Sequence, residues 1–311
     1  MFSDSHTHIL NTKNIMQERV EERSGESLNQ NELIDDPFEM MERLQKEKFR
    51  FIMDIGTEPG DLEKRMNCVK ELSRGELPSF IHFSAGLWPH KQTIETPDSS
   101  LKMLEKDIIL GLEDASNRAS TDSLSFFALG ECGLDRYWNG KDAPMLKEGG
   151  TLDIEGEEAL FIEQLKMAKK YNLAVIIHSR EAYKDTLKCI DKVGHHKGVI
   201  HCYSYGIDEG RTFLERGWYI SFPGNITFPK TKTKIEAVRE LVASIPLERL
   251  LLETDAPYMT PHPFRGKPNT SLYIKHTYEK ASDYLDVSVQ ELCDVVYNNC
   301  CTLFGLTSKN I

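Results

Sequence analysis

Short apolar runs alternate with longer amphipathic stretches along the 311 residues. The runs are Phe2–His8, Phe49–Ile55, Phe80–Leu87, Phe126–Gly130, Leu173–His178, Gly198–His201, Trp218–Phe222 and Leu250–Thr254. Each is strand-length, and Phe126–Gly130 is apolar at every position, as strands covered on both faces are. Helical spacing fills the intervals. Asp36–Glu47 has a capping Asp followed by Pro37, and Glu157–Tyr171 puts Leu160, Phe161, Gln164, Leu165 and Ala168 on one face. Thr233–Ile245 and Ser288–Leu303 follow the same rule. Strand and helix alternating about eight times predict a parallel α/β barrel, the (β/α)8 TIM barrel, rather than a doubly wound sheet, whose Gly-rich dinucleotide turn is missing. One barrel domain spanning 1–311 is expected. Two polar stretches, Asn11–Asn31 and Asn139–Gly156, read as insertions forming surface loops or a local lid.

The barrel reading gives the polar residues at strand ends their meaning. His6 and His8 close the first strand two residues apart, so both point to one face, toward the C-terminal mouth where barrels place their chemistry. Glu131 follows the fourth strand, His178 ends the fifth, His201 ends the sixth and Asp255 follows the eighth. One histidine at a strand end is ordinarily a hydrogen-bonded polar group, and one acid there ordinarily caps a helix. Four imidazoles and two carboxylates converging on one mouth would leave unpaired charge without a cation. The set suits Zn2+, Mn2+ or Mg2+. Six ligands around one ion would leave no open position, whereas two ions about 3.5–4 Å apart, sharing a bridging carboxylate, stay reactive and activate a hydroxide.

Composition narrows the partners. Net charge is -11 with a pI near 5.5, which argues against a broad basic groove gripping many phosphates. It leaves room for an enzyme acting on a short end of a nucleic acid, where the ions carry the positive charge. The 7 cysteines are odd in number and include no Cys-x-x-Cys pair, so a disulfide framework is not expected. With no apolar run of about 18 residues and no signal-like N-terminus, no membrane span is expected and the cytoplasm is the default. Nothing in the pattern requires a second copy, and a monomer is favoured.

Several motifs carry a resemblance. Asp4-Ser5-His6-Thr7-His8, Gly130-Glu131-Cys132-Gly133-Leu134-Asp135, Ile177-His178-Ser179-Arg180, His201-Cys202-Tyr203-Ser204 and Leu251-Leu252-Glu253-Thr254-Asp255-Ala256-Pro257-Tyr258 together resemble the TatD family of metal-dependent deoxyribonucleases. So do Thr260–Asn269 and Gly86-Leu87-Trp88-Pro89-His90, although Trp88 stands where the family often has His or Tyr. The likeness spans nearly the whole chain and keeps the motif order. It implies an amidohydrolase-type barrel, a dinuclear divalent site and hydrolysis of DNA, including 3′→5′ exonuclease action on a single-stranded stretch or 3′ end. By motif position, His6, His8 and Asp255 would hold one ion, His178 and His201 the other, and Glu131 would bridge.

The remaining expectations concern roles around that site. Asp255 is the candidate proton acceptor, and Asp4 and Glu253 are candidates to orient imidazoles through their second nitrogen. Arg265, Asn269, His90 and Arg180 are candidate substrate contacts, with Arg136 a weaker one, because guanidinium forks match phosphate oxygens. Tyr137 and Trp138 are candidates for base stacking. His82 is read as structural, and His195 and His196 as solvent-facing. Lys230, Lys232 and Lys234 are a solvated helix face or a DNA-docking strip. Competing readings are an amide or ester hydrolase on the same barrel, and a metal-binding scaffold without activity. Related amide hydrolases often bridge with a Lys on the fourth strand, and Glu131 at that place favours phosphodiesters.

Overall fold

The apolar runs become strands because a barrel covers both of their faces. In the computed structural model, Val175, Ile176 and Ile177 of the fifth strand and Phe51, Ile52 and Met53 of the second are wholly buried. The structure describes residues 1–22, 34, 36–116 and 126–306. Among these the order is β1 (Ser3–Thr7), α1 (Ile9–Glu22), α2 (Pro37–Lys46), β2 (Phe51–Asp54), α3 (Leu62–Leu72), β3 (Ile81–Ala85), α4 (Lys91–Glu95), α5 (Pro97–Ser116), β4 (Phe126–Asp135) and α6 (Ile154–Tyr171). It continues with β5 (Ala174–Arg180), α7 (Tyr183–Val193), β6 (Gly198–Ile200), α8 (Ile207–Glu215), β7 (Tyr219–Phe222), α9 (Lys232–Ala243), β8 (Leu250–Leu252), α10 (Ile274–Leu285) and α11 (Val289–Phe304).

The strands pair in parallel in sequence order from β1 to β8. Closure comes from β1 returning to the end of β8: the Asp255 amide donates to the His6 carbonyl (2.9 Å) and the His8 amide to the Ala256 carbonyl (2.8 Å). The same bonds that shut the barrel therefore set His6, His8 and Asp255 side by side. Trp218, Phe51, Phe83, Phe161, Phe213 and Phe222 are among the largest side chains buried completely. No described helix is long and apolar enough to cross a membrane.

Caps fall where the sequence puts them. The Asp36 carboxylate accepts from the Phe38 amide and the Ser288 hydroxyl from the Glu291 amide. Two expectations change. Residues 11–22 are helix rather than loop, because Ile9 starts α1 with its amide held by Asp54 Oδ1 at 2.8 Å. The rest of the stretch to Asn31 lies outside the described residues. The second polar segment is a turn-rich connection from Asn139 to Asp153, and residues 154–156 are already the first turn of α6. Asn139 staples that connection: it accepts from the Thr151 amide and donates to the Pro89 carbonyl and to Glu157.

Candidate metal centre

β4 runs five residues further than Gly130, and this extension organises the mouth. Gly133 pairs with His178 and Asp135 with Arg180. A Cβ at Gly133 would collide with the His178 carbonyl, so only glycine allows β4 to lie this close to β5. Glu131, Gly133 and Asp135 share one face at strand spacing. Glu131 is fixed from the other side, where its amide donates to the Gly56 carbonyl at 2.7 Å.

The six expected residues meet. Glu131 lies between two imidazole pairs and gives one oxygen to each. Its Oε2 is 3.3 Å from His6 Nε2 and 3.7 Å from His8 Nε2. Its Oε1 is 3.0 Å from His178 Nδ1 and 2.9 Å from His201 Nε2. Asp255 Oδ1 sits 3.7 Å from both His6 Nε2 and His8 Nε2. His6, His8 and Glu131 form one cluster able to hold a cation, and Glu131, His178 and His201 another.

Two nitrogens, His6 Nε2 and His8 Nε2, face each other at 3.2 Å. A neutral imidazole turns a lone pair outward at such an atom, so a proton or a cation must lie between them. The donor set of imidazoles and carboxylates suits a divalent transition ion. Burial disfavours the Glu131 carboxylate, yet the imidazoles of His201, His178 and His6 hold its pKa well below the usual range. Burial, with His201 alongside, pushes His6 down to about 4. For His178 burial acts the same way but is outweighed by Asp135 and Glu131, which push it up to about 9.

Outside the cluster the expected roles separate. Glu253 Oε1 lies 3.6 Å from His201 Nδ1 and accepts from the Cys202 amide at 2.6 Å, so it faces the second nitrogen of a candidate ligand. Asp4 faces no ring: its carboxylate accepts from the Thr254 amide and hydroxyl and from the His6 amide, a strap between β1 and the end of β8. Burial pushes it up to about 7. The side chain that does hold a ring is Asp135, with Oδ2 2.7 Å from His178 Nε2. Its other oxygen accepts from the amides of Tyr137 and Trp138. Its presence on the Glu131 face was readable only with the strand extended past Gly130. His8 is held by a carbonyl, that of Ile55, 3.3 Å from Nδ1.

The candidate substrate contacts fare unevenly. Asn269 is wholly buried and spends its amide on the carbonyls of Thr254 (2.8 Å) and Tyr258 (2.6 Å), so it shapes a loop and cannot reach a phosphate. Arg136 is committed to Glu157, Glu158 and Asp185. Arg180 is exposed and lies 3.7 Å over the Tyr137 ring, and exposed Arg265 lies 3.7 Å over Phe228. His90 is exposed at the start of α4, with Nε2 3.0 Å from Glu58. His82 is buried beside Phe51. His195 is buried, accepted by the Leu173 carbonyl at 2.8 Å, and only His196 faces solvent. Lys230, Lys232 and Lys234 are exposed.

The comparisons agree with this architecture. The sequence model described as TatD related DNase matches residues 3–305. A Bacillus subtilis (strain 168) protein named uncharacterized metal-dependent hydrolase YabD is 29% identical over 270 residues, 86% of this chain and 92% of that one. An Escherichia coli (strain K12) protein named uncharacterized metal-dependent hydrolase YcfH is 33% identical over 202 residues, 64% of this chain and 70% of that one. The crystal structure of YjjV, a TatD homologue from Escherichia coli K12, superposes with a TM-score of 0.70 at 25% identity over 98% of both chains. A TatD family protein from Entamoeba histolytica shares the fold, with a TM-score of 0.72 at 18% identity over 98% of both chains. The chain belongs to the TatD-related DNase family, and both curated relatives named above are called metal-dependent hydrolases.

Proposed function

We propose that the mouth holds two divalent cations and that the protein hydrolyses phosphodiester bonds in DNA, working from a free 3′ end. The observation that carries this reading is the division of Glu131, one oxygen toward His6 and His8 and the other toward His178 and His201. A carboxylate placed so is a bridge between two ion positions. His6, His8 and Asp255 would hold one ion, and His178 and His201 the other, with Zn2+, Mn2+ or Mg2+ as candidates. When bound, such ions neutralise charge on a phosphate and lower the pKa of water toward neutrality.

The chain's own residues supply the rest. Glu131 fixes the spacing of the two halves. Asp135 holds His178 in the tautomer that leaves its inward nitrogen free, and Glu253 faces the outer nitrogen of His201 at 3.6 Å. Asp255, at the edge of the cluster and on the open side, accepts the proton of the attacking water and returns it to the leaving oxygen. Of the candidate arginines, Arg265 and Arg180 are the exposed ones left to meet substrate phosphates.

The test is release of mononucleotides from single-stranded DNA labelled at either end, in the presence of Mg2+, Mn2+ or Zn2+, beside metal analysis of the purified chain. Two ions per chain and loss of the 3′ label first are expected. Turnover of an amide or ester panel with no nucleotide release would overturn the reading.

A further inference from the structure

Two aromatic rings flank the imidazole cluster on opposite sides, and the hydrolytic machinery uses neither. Trp88, half-buried, meets His178 edge-on with ring centroids 5.5 Å apart, and Trp138 supports it from behind at 6.0 Å and 86°. Tyr258, 54% exposed, stands beside His8 with centroids 6.5 Å apart.

Single exposed aromatics are ordinary on protein surfaces, but these two stand beside candidate ligands on backbones fixed by named contacts. Gln164 clasps Leu87 at both its amide (2.8 Å) and its carbonyl (3.0 Å). The Trp88 amide donates to the Thr57 carbonyl, and the Trp88 carbonyl accepts from Thr93 Oγ1. Asn139 ties Pro89 to the loop that carries Trp138. Gly86 completes the approach, since a Cβ there would collide with the Gly130 backbone next to Glu131. On the other flank the Tyr258 amide donates to the Asp255 carbonyl and its own carbonyl accepts from the buried Asn269. Both rings are therefore presented on rigid supports within one ring-length of the candidate ligands.

Charge says what they meet. The groove beside Trp88 is lined by Glu58, Glu95, Lys91 and His90, with His90 already turned to Glu58, so two carboxylates stand against one lysine along a path unfavourable for phosphates. A neutral π face is what a substrate finds there, and stacking on such faces tolerates any base. We propose that Trp88 and Tyr258 are stacking platforms for two successive nucleobases, one on each side of the phosphodiester lying over Glu131. This rests on the reading of the mouth as a phosphodiester site. It restricts the substrate to single-stranded nucleic acid, whose bases are free to splay apart.

The experiment uses thymidylyl-thymidine and two counterparts, each lacking one of its bases, with wild type, Trp88→Ala, Trp88→Phe, Tyr258→Ala and Tyr258→Phe. In the wild type, removal of either base is expected to lower kcat/KM about tenfold. Trp88→Ala erases the penalty for one base and Tyr258→Ala the penalty for the other, while each Phe variant restores most of it. Equal penalties in wild type and both Ala variants would overturn the proposal while leaving the hydrolytic reading intact. Binding gives a second readout independent of turnover. Of the 3 tryptophans Trp218 is wholly buried, so quenching of indole emission by the full dinucleotide reports Trp88 and Trp138. A chain that cleaves none of the three compounds yet is quenched by the dinucleotide and by only one of the two base-deleted compounds loses the hydrolytic reading and keeps the Trp88 platform. Equal quenching by the base-deleted compounds removes the platforms.

Discussion

The two halves of the mouth offset the same kind of charge by different routes. On the side of His6 and His8 the negative group stands in the cluster itself: Asp255, 3.7 Å from both inward nitrogens. Behind those rings no acid is hydrogen-bonded: His8 Nδ1 faces the Ile55 carbonyl, and His6 Nδ1, like His201 Nδ1 on the other side, has no hydrogen-bond partner. On the side of His178 and His201 the acids stand one step back, Asp135 against His178 and Glu253 against His201. The rings answer to their nearest acids rather than to burial alone: His6 is pushed down to about 4 by burial with His201 alongside, whereas against the same burial Asp255 and Glu131 raise His8 and Asp135 and Glu131 push His178 up to about 9. An acid behind an imidazole strengthens it as a ligand, while an acid beside it remains free to move a proton. On the proposed function, Asp135 and Glu253 would strengthen His178 and His201 as ligands, while Asp255 beside His6 and His8 would both help hold an ion and move the proton.

The difference can be broken most sharply at Asp255. Asp255→Asn is expected to lower kcat on the order of a thousandfold while bound metal stays near the wild-type level, and excess metal does not restore turnover. Activity recovered on titrating metal would mean that Asp255 holds rather than transfers. Asp135→Asn should do the opposite, weakening metal affinity about 10–100-fold. Here saturating metal restores most of kcat, as a titration of activity against metal concentration will read.

His82 supplies the control for both, a buried imidazole with no acid among the causes that move it, pushed down by burial to about 3. Its folded pKa lies below the unfolded value of 6.5, so the unfolded chain takes up the proton first. The stability it permits is complete above about pH 6.5 and is lost as pH falls toward 3. Between pH 6.5 and 5 the loss is about 2 kcal/mol. Urea unfolding at the two pH values should show a smaller difference in His82→Gln. The smallest effect is expected at Arg265, whose guanidinium lies on Phe228. Arg265→Ala should raise KM for single-stranded DNA roughly threefold to tenfold with kcat little changed, and lessen its salt dependence. An unaltered KM would restrict that arginine to packing on Phe228.

Much of this is written in local pattern. The eight apolar runs coincide with the eight strands, and the caps at Asp36 and Ser288 sit where short polar side chains precede helical spacing. The six clustered residues are legible because each stands at or just past the end of an apolar run, and a parallel barrel brings the ends of those runs to one mouth. Asp135 was not, since the reading stopped β4 at Gly130, and a strand's length is settled by its neighbour: β5 pairs with it as far as Arg180. Asn269 and Arg136 have the chemistry of phosphate contacts, but nearby carbonyls and acids claim them first. Polarity in residues 11–22 suggested a loop, whereas Asp54, distant in sequence, anchors the helix at Ile9.

The sequence by itself determined the order of the elements, the barrel they form and the imidazoles and acids that gather at its mouth. Hydrophobic periodicity and strand-end position are local quantities, and closure of a parallel sheet follows from them. The tertiary structure alone decided which acid stands behind which ring, which arginines stay exposed and where Trp88 and Tyr258 face. Those outcomes depend on contacts of a few ångströms between residues far apart in the chain, where hydrogen-bond partners compete for the same atoms.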